Sequence, residues 1–232
     1  MNNRYKIVQK WWDIGAEESV EENIVEKYTL PEILTIRNLL ESVRERRLVL
    51  DAGCGDGRIC LRLASIFKET VGIDISLKML QNAVKKQVRN VRFIGGCLEH
   101  LPFKSNTFDI IIFFYVEIFL VEPYKALKEV YRVLKDQGIL LAATIPVISH
   151  ARELAYKNYM KQIVPVNNML PWDFIKLLRE TGFTIINKQP LTSDVPPYNL
   201  ITEIAKYGDR FVKNKEELIQ MCLLNTLIIA KK

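Results

Sequence analysis

The chain has 232 residues, 49% of them apolar and 26% charged, with 33 basic against 27 acidic side chains. That length suits one domain, or one core with a small appendage, and buries a large core without metal or disulfide support. The composition is that of an ordinary folded protein and excludes a disordered or fibrous one. Two histidines, His100 and His150, exclude a histidine-rich metal centre. Four dispersed cysteines, Cys54, Cys60, Cys97 and Cys222, form neither a disulfide scaffold nor a metal-ligand pattern, so no metal is expected. Charges interrupt the first residues, so no signal segment is expected there. The longest apolar run, 110–116, is too short to cross a bilayer. A reducing, cytoplasmic compartment is the expectation.

The positive charge is local. Residues 1–50 carry 8 basic and 9 acidic groups, whereas residues 58–92 carry 8 basic and 2 acidic. Such a face can attract an anionic surface or a nucleic acid. Most of these cations, however, fall on the outer sides of predicted helices, where Lys and Arg face water. No arginine-rich tail, zinc-finger spacing or ribonucleoprotein motif accompanies them.

Residues 5–45 read as two or three helices, with Leu30, Ile33, Leu34, Ile36, Leu39 and Leu40 at helical spacing and Pro31 suited to a first turn. The period then changes to a short strand at 47–51, followed by a glycine-rich turn and a helix carrying Ile59, Leu61, Leu63, Ala64 and Phe67. A second strand is expected at 71–74. Ser76 can cap the next helix, which holds Met79, Leu80, Ala83 and Val84. A third strand follows at 91–94, closed by Gly95 and Gly96. The run 107–114 is apolar enough for the centre of a sheet covered on both faces. Pro123 opens a helix with Ala126, Leu127, Val130, Val133 and Leu134 on one side, and Asp136-Gln137-Gly138 turns into a strand at 139–145. Residues 151–163 are expected to be helical, and a helix at 172–181 ends at Gly182. Two last strands are expected at 183–188 and 222–230, with a loop and helix at 192–220 between them. The alternation of strands and helices predicts an open α/β sheet.

The sharpest signal is Val49-Leu50-Asp51-Ala52-Gly53-Cys54-Gly55-Asp56-Gly57. Glycines let backbone approach a ligand closely and adopt positive φ. Asp51 stands immediately before the turn, where a carboxylate repels a diphosphate and welcomes an ammonium group. Asp74 ends the next strand, 23 positions later, where an acid can accept both hydroxyl hydrogens of a ribose and rejects a 2′-phosphate. The pair favours an amino-acid-bearing nucleoside over a nicotinamide dinucleotide.

These residues resemble motif I of the class I S-adenosylmethionine-dependent methyltransferases, and more closely the methyltransferase type 11 group. Val71-Gly72-Ile73-Asp74-Ile75-Ser76 is similar to the ribose-binding motif. Glu99-His100-Leu101-Pro102-Phe103 with Asn106-Thr107-Phe108-Asp109, and Leu134-Lys135-Asp136-Gln137-Gly138, resemble the approaches to the fourth and fifth strands. The likeness covers roughly residues 45–145. It implies a Rossmann-like, seven-stranded, mostly parallel sheet of order 3-2-1-4-5-7-6, strand 7 antiparallel, with helices on both faces. It also implies S-adenosyl-L-methionine as cofactor. Asp51, Gly53, Cys54, Gly55 and Gly57 would then hold the methionine part and Asp74 the ribose. Ile75 and Met79 would line the adenine, Gly96, Cys97 and Leu98 would meet its edge, and the backbone at Phe113 and Phe114 would border the methionine. Cys97 departs from the aspartate common there, and cysteine is a poor acceptor; either Glu99 or a backbone carbonyl would substitute, or the adenine would be held more weakly.

Methyl transfer from a sulfonium rests on alignment and desolvation, and needs a base only where the acceptor must lose a proton. Candidates for that role are His150, just beyond the fifth strand, and Tyr115 and Glu117, after the fourth. His100 is expected to steady its loop. The whole chain, 1–232, is expected to be one domain, with 1–45 a helical cap and 146–170 and 190–220 acceptor-side or lid insertions. Tyr5, Trp11, Trp12, Tyr28, Tyr156, Tyr159, Met160, Met169 and Trp172 supply aromatic and soft apolar surface, which suits a small flat or hydrophobic acceptor; for Trp172 plain packing is the simpler role. The rivals are an RNA methyltransferase, a nicotinamide oxidoreductase and a non-catalytic cofactor-binding homologue. Phe113-Phe114-Tyr115-Val116 replaces the Asn-Pro-Pro-Tyr-type motif of adenine-amino methyltransferases. A homodimer is left open.

Overall fold

The computed structural model describes residues 3–16, 33–40, 47–144, 169–190 and 226–232. The elements are α1 (Asn3–Gly15), α2 (33–40), β1 (Leu48–Ala52), α3 (Arg58–Leu63), β2 (Glu69–Asp74), α4 (Leu77–Val84) and β3 (Val91–Gly95), followed by β4 (Phe108–Phe114), α5 (Pro123–Val133), β5 (Leu134–Thr144), α6 (Pro171–Thr181), β6 (Thr184–Pro190) and β7 (Thr226–Lys231). A short 3-10 turn, Glu117–Phe119, follows β4. The seven strands form one sheet in the order β3-β2-β1-β4-β5-β7-β6. β7 runs antiparallel to both of its neighbours, and the other pairings are parallel.

The sheet has apolar cover on both faces, and β4 shows how its sequence sets this up. Ile111 and Phe113 point to one face, where they join Leu127 and Val130 of α5 and Phe174 and Leu178 of α6. Ile110, Ile112 and Phe114 point to the other, against Ile33, Ile36 and Leu40 of α2 and Ile59 and Leu63 of α3. The alternation is the two-residue repeat of a strand, and from Ile110 to Phe114 it demands apolar residues at every position because neither face meets water. Leu34, at helical spacing in the sequence, is instead exposed at 49% and lies off the buried stripe of α2.

Local signals set the helix limits. The Ser76 hydroxyl accepts the Met79 N–H at 3.2 Å and caps α4. Pro123 and Pro171 stand in the first turns of α5 and α6. Gly182, at φ 115°, ends α6, with its N–H and that of Phe183 donating to the carbonyls of Arg179 and Leu178. Three expectations shift. α3 stops at Leu63 rather than running to Phe67, because the Asn90 side-chain amide donates to the carbonyls of Ala64 and Phe67 and holds the chain in a turn. The Asp136-Gln137-Gly138 turn lies within β5 as an irregularity: Phe108 pairs with Leu134 and Ile110 with Ile139, while Gln137 takes φ 62°. Strand 6 begins at Thr184, one residue after the expected start. The expected helix at 151–163, the 192–220 segment and residues 222–225 of the last strand lie outside the described residues.

Candidate functional site

β1 lies between β2 and β4, so the strand order reverses at the carboxyl end of β1; open α/β sheets bind ligands at such a point. The glycine turn leaves β1 there. The N–H groups of Gly53 and Cys54 both donate to the Ile73 carbonyl, at 2.8 and 3.0 Å, which folds the turn back against β2. Gly53, Gly55 and Gly57 take φ of 80°, 54° and 80°. A Cβ at Gly53 would collide with Val116, and one at Gly57 would lie 2.8 Å from the Phe93 ring. A Cβ at Gly55 would meet nothing within 4 Å, so the crest of the turn faces open space. Cys54 is buried and packs with Cys60 and Leu80.

Asp51 and Asp74 flank this turn. Asp51 is buried and accepts the Cys60 N–H at 3.2 Å from the first turn of α3. Burial pushes its carboxyl up to about 7, against the pull of Arg58 and the Cys60 N–H, and the charge of Asp74 adds to the rise. Asp74 is half-buried, and its two oxygens accept the N–H groups of Gly55 and Ser76, each at 2.8 Å. Burial raises its carboxyl too, while these backbone donors lower it. The two acids flank one turn, and the charge of Asp74 acts on Asp51 across it.

Ile75 and Met79 are half-buried beside Asp74. The Gly96 N–H donates to the Asp74 carbonyl at 2.9 Å, which brings Gly96 and half-buried Cys97 to the same edge, with Leu98 buried behind. Burial pushes the Cys97 thiol up, so it offers a weak acceptor at neutral pH. Glu99 is engaged elsewhere, because its Oε1 accepts the N–H groups of Val121 and Glu122 at 3.0 and 3.3 Å. His100 is exposed, with its Nε2 2.8 Å from Lys125 Nζ.

At the end of β4, Phe113 and Phe114 bury their rings on opposite faces of the sheet and leave backbone at the cleft. Tyr115 then takes φ 62°, with its N–H donating to the Ala143 carbonyl at 2.9 Å. The Arg58 guanidinium lies 5.8 Å from the centre of the Tyr115 ring. Glu117 is buried in the following 3-10 turn. Tyr115 and Glu117 thus come to the same strand end. His150, the third candidate for proton transfer, lies outside the described residues, as do Tyr28, Tyr156, Tyr159 and Met160. Trp172 and Met169 pack against the main core.

Sequence reasoning missed what α1 does. The Tyr5 hydroxyl donates to Glu122 Oε2 at 2.8 Å, beyond β4. Near the other end of α1, Asp13 accepts the Ser76 hydroxyl at 2.6 Å and the Lys78 N–H, and the Ala16 carbonyl accepts from Asn82. The helix is therefore tied to the segments after both β2 and β4. Trp11 stacks on Phe119 at 5.7 Å, and Trp12 meets the same ring edge-on at 5.0 Å. The contacts join residues more than sixty positions apart, and no local pattern announces them.

The family profile described as a methyltransferase domain matches residues 50–142, the stretch that holds both acids and the turn. A ubiquinone/menaquinone biosynthesis C-methyltransferase, UbiE of Rickettsia felis, is 30% identical over 173 residues, covering 65% of this chain and 69% of the relative. The chain belongs to the class I S-adenosylmethionine-dependent methyltransferases, type 11 group. The uncharacterized methyltransferase YcgJ of Bacillus subtilis is 38% identical to this chain over 102 residues, 42% of this chain and 40% of the relative's own length. The crystal structure of YcgJ superposes with a TM-score of 0.56 at 23% identity, covering 83% of this chain and 95% of that one. The chain solved with the Haloferax volcanii Trm112 methyltransferase activator gives 0.68 at 18% identity, covering 95% and 96%. At these identities the likeness is one of fold. No helix among the described residues of this chain is long and apolar enough to cross a membrane.

Proposed function

We propose that this methyltransferase carries a methyl group from S-adenosylmethionine directly to a small acceptor with flat or apolar surface. The observation that carries the reading is the convergence of Asp51 and Asp74 on one glycine turn whose crest, at Gly55, faces open space. The donor set fits the cofactor: a carboxylate for an ammonium, a second for a ribose, and glycine backbone that lets the ligand lie close.

In this reading Asp51 and the turn through Gly53, Cys54, Gly55 and Gly57 hold the methionine part, and Asp74 holds the ribose hydroxyls. Ile75 and Met79 line the adenine, Gly96, Cys97 and Leu98 meet its edge through backbone, and the chain at Phe113 and Phe114 borders the methionine. When bound, S-adenosylmethionine supplies an electrophilic methyl group on a sulfonium. The protein's part is to bind, orient and exclude water. Tyr115 and Glu117, at the end of β4, and His150 are the candidates to accept a proton from the acceptor, and the burial of Glu117 makes it the less accessible of the two at the strand end.

The rings of Trp11, Trp12 and Phe119 beside Tyr115 favour a flat or apolar acceptor. RNA is disfavoured because the basic stretch is partly spent within the protein: Lys86 pairs with Asp56 at 2.9 Å and Arg92 pairs with Glu69. The test is transfer from methyl-labelled S-adenosylmethionine to a low-mass cell extract and, separately, to total RNA. Label is expected in the low-mass fraction. Label confined to RNA would overturn the acceptor assignment, and label in neither would return the chain to a non-catalytic cofactor binder.

A further inference from the structure

The first turn of α4 carries backbone N–H groups that no carbonyl of its own helix can take. The Ser76 hydroxyl oxygen takes one of them, that of Met79, at 3.2 Å. The Lys78 N–H is taken from a distant part of the chain: it donates to Asp13 Oδ1 of α1 at 3.2 Å, across 65 positions of sequence. The same Asp13 oxygen accepts the Ser76 hydroxyl at 2.6 Å, the length of a charge-assisted bond. Asp13 therefore completes the cap and also fixes the Ser76 hydroxyl, which donates to one partner and accepts from the other. The Ala16 carbonyl, just past α1, accepts from Asn82 at 3.3 Å and adds a second tie to the same helix.

Ser76 carries this arrangement to the site. It is fully buried, and its backbone N–H donates to Asp74 Oδ1 at 2.8 Å. The other Asp74 oxygen takes the Gly55 N–H from the crest of the turn, also at 2.8 Å. One serine thus stands between two carboxylates, its hydroxyl on Asp13 and its N–H on Asp74. Capping alone does not require the acid from α1, because the Ser76 oxygen already serves the helix. What Asp13 adds is a fixed orientation for a buried residue whose N–H aims Asp74. The two acids also sense one another: burial is the main reason the Asp74 carboxyl is raised, and the charge of Asp13 adds to it.

We infer that Asp13 is a positioning residue for Asp74, acting through Ser76, so that the docking of α1 on α4 sets how well the acid at the end of β2 is aimed. The inference rests on the cofactor reading above, in which Asp74 takes the ribose, and brings to it a residue from outside the strand, turn and helix that form the site. Docking of α1 and binding of the ligand then favour one another, each by the same factor.

The test is a double-mutant cycle, read by calorimetric titration of S-adenosylhomocysteine at about pH 8.5, above the value of about 7 at Asp51. Asp13→Ala should weaken binding by roughly three- to tenfold in the wild-type background, and by less than about twofold where Asp74 is already alanine. Ser76→Ala, which leaves Asp13 without its hydroxyl partner, should weaken binding as Asp13→Ala does, and the two together should add little. Equal weakening by Asp13→Ala in both backgrounds would overturn the assignment in favour of a structural role, as would no weakening in wild type. Tyr5→Phe frees the other end of α1 from Glu122 and should have the same effect in both backgrounds. Coupling of Tyr5→Phe to Asp74 as strong as that of Asp13→Ala would overturn the path through Ser76 in favour of a general loosening of α1. Wild type without saturable binding would overturn the cofactor reading, and the inference with it, whereas the pattern across the cycle tests Asp13 alone. Thermal unfolding of each variant separates misfolding from lost positioning. If Asp13→Ala does not fold, Asp13→Asn decides: it keeps an acceptor without the charge, so a loss of about twofold or more confined to the wild-type background is expected, and its absence would overturn the assignment.

Discussion

In the proposed reading Asp51 receives the ammonium of the cofactor, and its burial has a measurable consequence. Its carboxyl is held up to about 7 in the folded protein against 3.8 in an exposed reference, so the folded state binds the proton more tightly. Stability from this group is therefore full below about pH 4 and lost as pH rises through about 7. Asp51→Asn should flatten the fall in unfolding free energy between those values, read from urea titrations across pH; an unchanged slope would contradict the buried-acid account. The same proton must leave before an ammonium is received. S-adenosylhomocysteine affinity should fall as pH drops below about 7 in wild type and stay level in Asp51→Asn. Gly53 gives a second residue-level prediction. Alanine there must hold φ 80° and push against Val116, so Gly53→Ala should cost about 1–3 kcal/mol in chemical unfolding and lose S-adenosylhomocysteine binding together. A stable, binding Gly53→Ala protein would mean the turn is not shaped as described. Asp51, the glycines and Asp74 could be read from the sequence because each follows a strand and precedes a helix within one short stretch. Asp13 could not, since its partner Ser76 is 63 positions away and reads locally as nothing more than a cap.

At the level of elements, the loop between β3 and β4 shows the same division. Its sequence announces a connection that carries Cys97 and Leu98 toward the cleft, but nothing local says what holds it. Two residues of α5 do so. Glu129 accepts the Leu101 N–H at 2.9 Å, and Arg132 donates to the carbonyls of Phe103 and Leu101 at 2.7 and 3.1 Å while pairing with Glu129. Arg132→Ala strips two carbonyls and a carboxylate of their donor, and should lower stability by about 1–3 kcal/mol. Amide exchange over residues 97–107 should quicken in that variant well beyond the change elsewhere; uniform exchange would show that the loop is held by other means. The β5 irregularity has a related cause. Lys135 pairs with Asp109 at 2.9 Å, and Asp109 also takes the Leu48 N–H, so three strands are pinned at their starts while the chain at 136–138 adjusts the register. A turn signal in sequence marks the bend correctly but cannot say whether the strand stops there or passes through it. The Glu99 carboxylate, available to adenine on sequence grounds, is instead taken by backbone at Val121 and Glu122.

For the whole molecule, the strand order follows from alternation: strands buried on both faces need helices on both sides, and the reversal at β1 and β4 places the cleft where the glycine turn emerges. The acceptor has no comparable signature. In the proposed reading its surroundings come from residues scattered along the chain, Trp11 and Trp12 on α1 and Tyr115 and Phe119 beyond β4, and the packing of these rings depends on where α1 lies. A common fold also hosts many reactions, so the functional reading leans on the cofactor site more than on the architecture. The most direct measurement is therefore a calorimetric titration of S-adenosylhomocysteine into the wild-type protein and into Asp74→Ala. Loss of two charge-assisted hydrogen bonds to a ribose should weaken a saturable, single-site interaction by about 10- to 100-fold. Equal affinity in the two proteins, or no saturable binding to wild type, would contradict the account.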